Sequence, residues 1–85
     1  MSLAIHAEAQ DEADDEARYY ERRSPGLGTQ FADAVLAVLT AITANPQLYG
    51  RTSPRVRARE VRAAPVRRFP FMVVYEVRGP DVLVV

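Results

Sequence analysis

The sequence predicts an α+β domain: an antiparallel helical hairpin packed on one face of a small, mainly antiparallel sheet of about four strands. Three observations predict it. Phe71-Met72-Val73-Val74-Tyr75-Glu76-Val77 is β-branched and aromatic, and apolar on both alternations until Glu76. That pattern suits a central strand covered on both sides for most of its length. Two stretches with helical periodicity, Ala7 to Arg23 and Leu27 to Ala44, are joined by a turn too short for anything but a return of the chain. Short apolar segments also stand near both ends, at Leu3-Ala4-Ile5 and Val82-Leu83-Val84-Val85.

Eighty-five residues make one domain, 1–85, with a thin core. The chain has no cysteine and a single histidine, His6. Disulfides and cysteine- or histidine-cluster metal sites are therefore excluded, and a Ser-His-Asp triad is disfavoured. No secretory leader is legible, and no apolar run reads as long enough to cross a bilayer. The expectation is a soluble cytoplasmic protein with no metal, no cofactor and no membrane partner.

Net charge is zero, but the charge is segregated. Residues 1–21 hold seven acids and one arginine, a net of −6, while residues 51–68 hold seven arginines and one glutamate, a net of +6. All eleven basic residues are arginine. Arginine offers a planar fork of donors for carboxylates or phosphates and stays charged, so it suits binding better than proton transfer. A biased source composition accounts for the absence of lysine equally well.

Leu3-Ala4-Ile5 reads as one edge strand, and His6 as a surface residue rather than a helix cap. In the first helix the acids crowd the N-terminal half and Arg18, Arg22 and Arg23 the last turns, the polarity a helix dipole favours. Ala9, Ala13, Ala17 and Tyr20 make a narrow seam that lets another helix come close. Tyr19 and Tyr20 are expected to pack between helix and sheet. The acids resemble metal ligands only by count, since adjacent positions scatter around a helix. In the second helix Phe31, Val35, Val38, Leu39 and Ile42 form an apolar stripe, so this helix should lie deeper, and Asn45-Pro46 stops it. The core is expected at Val35, Val38, Leu39, Ile42, Val73 and Tyr75.

Gln47 to Arg55 reads as loop. Val56 to Val66 has the character of an irregular strand, with Pro65 at a bulge or on an edge. The central strand follows, then a Gly79-Pro80-Asp81 turn. The sequence stops inside the last apolar strand, which is expected to leave an open edge.

The order strand, helical hairpin, strand meander resembles the RelE/ParE superfamily of toxins from type II toxin–antitoxin systems, nearest its ParE or plasmid-stabilisation branch. The carrying residues are Ala13-x3-Ala17-x-Tyr19-Tyr20, Pro25-Gly26-Leu27-Gly28-x2-Phe31, Ile42-x2-Asn45-Pro46 and Arg67-Arg68-Phe69-Pro70-Phe71-x3-Tyr75-x-Val77. The resemblance spans nearly the whole chain, without the superfamily's C-terminal segment. It implies a toxin component acting by protein binding, with DNA gyrase as target and a cognate antitoxin as neutralising partner. The alternative is a ribosome-dependent messenger-RNA endonuclease of the RelE type; a third reading is a remnant that keeps only antitoxin binding. Positions matching the basic residues of the cleaving branch are Ala63, Pro65 and Met72, none of them ionisable. Cleavage through a 2′-hydroxyl needs groups to take and give a proton. The chain is accordingly read as leaning away from enzyme, with no catalytic residue.

Arg55, Arg57, Arg59, Arg62, Arg67 and Arg68 are the candidate partner-binding residues. Their expected partner is an acidic antitoxin segment at the sheet edge, gyrase, or nucleic acid. A solvated sheet rim, neutralised by the chain's own acidic helix, is the competing reading. An open edge would also drive a homodimer.

Overall fold

The computed structural model describes residues 2–50 and 60–85. Among these, six elements follow in order: β1 (Ser2–Ile5), α1 (Ala7–Arg23), α2 (Leu27–Ala44), β2 (Glu60–Pro65), β3 (Met72–Arg78) and β4 (Asp81–Val84). The sheet runs β1-β4-β3-β2, with β1 parallel to β4 and the other two pairings antiparallel. The α+β class, the helix bounds and the central place of β3 agree with the sequence. The Val56–Arg59 part of the expected irregular strand lies outside the described residues.

His6 caps α1, contrary to its reading as a plain surface residue. Its Nδ1 accepts from the Glu8 N–H at 3.2 Å, and its carbonyl accepts from the Gln10 N–H at 3.0 Å. The first satisfies a donor that a helix start leaves unpaired, and the second is the first regular bond of the helix. At the other end, Glu21 reaches across the joint. Its carboxylate accepts from the Gly26 N–H at 3.0 Å and the Gly28 N–H at 3.0 Å, placing negative charge at the start of α2. Gly28 is required for closeness: a Cβ there would lie 2.5 Å from the Ala17 carbonyl oxygen. The alanine seam thus brings the two helices together as expected.

α1 has no fully buried residue, whereas α2 buries Gly28, Phe31, Val38 and Ile42. By length and composition α2 could cross a membrane, contrary to the sequence reading that no run could. Here its apolar stripe packs instead with Ala64, Val66, Val73, Tyr75, Val82 and Val84. Val35 and Leu39 are only half-buried, a correction to the expected core; Phe31 takes the centre. Its ring meets Phe69 and Phe71 edge-on at 5.2 and 5.1 Å and lies 5.3 Å from Tyr20. Tyr19 stays exposed, its hydroxyl accepting from Arg23 at 3.2 Å, so of the tyrosine pair Tyr20 alone packs inward.

Successive strand residues face opposite ways. Val73 and Tyr75 face the helices and are buried, whereas Met72, of opposite parity, is 51 % exposed. The expectation of a strand covered on both sides is thus corrected: the hairpin covers one face. On the other face Glu76 is buried and pairs with Arg78. β4 is bonded on both sides, to β1 and β3, so the apolar C-terminal strand is not an edge. The parallel pairing to β1 closes the edge that the sequence left open.

Pro65 sits on the edge strand β2, opposite Met72. Backbone groups on β2 alternate between the two sides: Val66 N–H bonds Phe71 O at 2.9 Å, toward β3, while Ala63 N–H bonds Gly50 O at 3.2 Å, on the outer side. Position 65 therefore points outward, where a missing N–H costs the ladder nothing.

Candidate partner-binding site

The Val66–Phe71 turn between β2 and β3 is held at both ends by its own backbone. Phe69 N–H bonds Val66 O at 3.2 Å and Phe71 N–H bonds Phe69 O at 2.8 Å. Phe69 anchors the turn below, its ring 4.9 Å from Tyr20 and 5.2 Å from Phe31. Arg67 and Arg68 are lifted into solvent. Arg68 has φ 76°, a left-handed conformation that costs a non-glycine residue about 1–2 kcal/mol. A strained arginine where glycine would relax is an observation that points toward a role for its side chain. Neither arginine has an ion pair or a side-chain hydrogen bond among the described residues.

Beside the turn runs an open groove of about 540 Å³. α2 contributes Gln30, Asp33, Ala34 and Ala37; Tyr49 and Phe69 add aromatic walls, and Arg67 and Arg68 form one rim. Small side chains on α2, Ala34 and Ala37, keep this wall low, and the rim carries two exposed guanidinium groups. Sequence reasoning found the arginines but missed the groove, because the α2 and Tyr49 wall meets the Arg67–Phe69 rim only in the fold, with no shared motif.

Arg62 stands apart from these two. It faces the helix side of the sheet opposite Tyr75, and its side chain is largely buried. Its guanidinium donates to Glu60 Oε2 at 2.7 Å and to the Tyr49 carbonyl at 2.6 Å. The Tyr75 hydroxyl donates to the Pro46 carbonyl at 2.7 Å. Together they fasten the loop after α2 onto the sheet. Arg55, Arg57 and Arg59 lie outside the described residues. Of the six candidate arginines, the structure therefore brings Arg67 and Arg68 together on one exposed rim and turns Arg62 inward.

Ala63, Pro65 and Met72 are on the face of the sheet away from the helices, with Pro65 directly opposite Met72. No proton donor or acceptor side chain is present at these three positions. Among the described residues, no cluster of three or more histidines, cysteines or carboxylates could hold a metal.

This architecture, a strand and helical hairpin followed by a meander with a cationic turn, is a small α+β domain. A family model described as ParE toxin of type II toxin–antitoxin system, parDE, matches residues 3–85, and the chain belongs to that family. Membership makes it a toxin-family protein of a type II system and implies a cognate antitoxin partner. No curated protein and no solved structure matches the chain.

Proposed function

We propose that this cytoplasmic toxin acts by binding a protein target, DNA gyrase, and that an acidic segment of its antitoxin neutralises it at the Arg67–Arg68 turn. Gyrase is the target the ParE branch implies, and the branch also implies a plasmid-stabilisation role. The observation that carries the reading is the chemistry of Ala63, Pro65 and Met72. Phosphodiester cleavage requires proton transfer at both oxygens and positive charge on the phosphate. The nearby arginines supply charge but hold their protons. The same arginines, free on a rigid turn above a groove, suit recognition of carboxylates.

Messenger RNA on translating ribosomes, followed after adding the purified protein, tests this. The expected result is intact message. Codon-positioned cuts that disappear on mutating Arg67 or Arg68 would replace the reading with a RelE-type endonuclease.

A further inference from the structure

We propose that a second copy of this chain occupies the Arg67–Arg68 rim, docking there through the outward face of its own α1. The sequence suggested self-association through an open edge at β4, but β4 is paired on both sides. Charge offers a different route. α1 turns Ala9, Ala13, Glu16, Ala17 and Tyr20 inward and buries none of them fully. On the outward side Glu8, Asp11, Glu12 and Asp15 are all exposed and fall at helical spacing on one face, while Glu16 is half-buried. Asp15 pairs with Arg18 at 3.0 Å. Glu8, Asp11 and Glu12 have no cationic partner among the described residues, and neither Arg67 nor Arg68 has an anionic one.

The acidic helix therefore does not neutralise this arginine turn within its own copy. Each molecule carries one free acidic face and one free arginine rim, and a net charge of zero leaves no overall repulsion to oppose association. The groove matches the occupant: Ala34 and Ala37 admit a helix closely, and Arg67 and Arg68 meet its carboxylates. Asp33, the carboxylate in that wall, sets the register by repelling acids placed over it. A reciprocal contact closes as a two-fold dimer; a one-way contact propagates as a chain. Either way the rim is covered until an acidic partner displaces the second copy. This does not depend on the gyrase reading, because it concerns the purified chain alone.

Sedimentation velocity tests it. Wild type should associate near 0.01 M salt, where screening reaches about 30 Å, and should dissociate near 1 M, where it falls to about 3 Å. Two reversed variants, Arg67→Glu with Arg68→Glu and Asp11→Arg with Glu12→Arg, should each be monomeric at low salt and folded by circular dichroism. Mixed in equal amounts, they should form a heterodimer. Should the arginine-introducing pair fail to fold, Asp11→Asn with Glu12→Gln should show the same loss of self-association. A wild type that stays monomeric at low salt, association that survives either reversal, or reversed variants that fail to pair when mixed would each overturn the proposal.

Discussion

Arg62 and Tyr75 stand directly opposite each other on β2 and β3 and close on the same loop. The guanidinium holds the Tyr49 carbonyl and the phenol holds the Pro46 carbonyl. Burial pushes the Tyr75 phenol above its ordinary 10.0, and the adjacent Arg62 charge opposes that shift. An acid whose pKa is raised in the fold stays protonated after the unfolded chain has ionised. Its contribution is therefore present below about pH 10 and lost as pH rises beyond it. Tyr75→Phe should cost about 1–3 kcal/mol at neutral pH by leaving the Pro46 carbonyl unpaired. It should also reduce the alkaline loss of stability, read from denaturant midpoints across pH.

Gly28→Ala should be destabilising by about 1–3 kcal/mol, because the added carbon meets the Ala17 backbone and α1 must move away. Gly50→Ala is the control: a Cβ there has nothing within 4 Å, and its midpoint should stay within about 0.5 kcal/mol of wild type. Urea unfolding of the three proteins decides the comparison.

Phe31→Ala should cost about 3–5 kcal/mol, since its ring touches three other aromatic rings and is fully buried. Leu39→Ala should fall near the lower end of about 2–5 kcal/mol, because Leu39 is only half-buried. A larger loss at Leu39 would show that the apolar stripe of α2 is rotated from the orientation described.

The helices were legible because their signals were local. Ala7 to Arg23 carried its own charge polarity, and Leu27 to Ala44 its own apolar stripe and its Asn45-Pro46 stop. The β4 error was not local. Val82 to Val85 looked like an edge because its partner β1 lies at the far end of the sequence, and parallel pairing leaves no turn to announce it. Leu39 was misjudged for a related reason: periodicity gives a helical face to within a residue or so, and the aromatic cluster around Phe31 decides which residue lies deepest. At the site, composition found Arg67 and Arg68. It could not find the left-handed backbone at Arg68, since an arginine carries no mark of positive φ. Arg62 faces inward because it stands opposite Tyr75, a pairing set by the register of β2 and β3.

That backbone gives a prediction that splits stability from function. Arg68→Gly relieves the strained φ and should raise stability by about 1 kcal/mol. It should weaken binding of the antitoxin in the same protein, because one of the two rim cations is gone. Unfolding midpoints and titration calorimetry on one preparation measure both. Weakened binding without added stability would show that the turn is not strained.

Binding of the antitoxin should fall as salt rises, with the loss concentrated in the association rate, because the paired charges are exposed. Stopped-flow association at two salt concentrations checks this. An on-rate indifferent to salt would mean that the arginine rim is a solvated surface.

The most direct measurement is negative supercoiling of relaxed plasmid by purified gyrase, titrated with this protein. Dose-dependent inhibition is the predicted result, abolished by Arg67→Glu with Arg68→Glu in a variant that remains folded, and reversed by the antitoxin. Supercoiling that proceeds unchanged at a large excess of folded, monomeric protein would contradict the account.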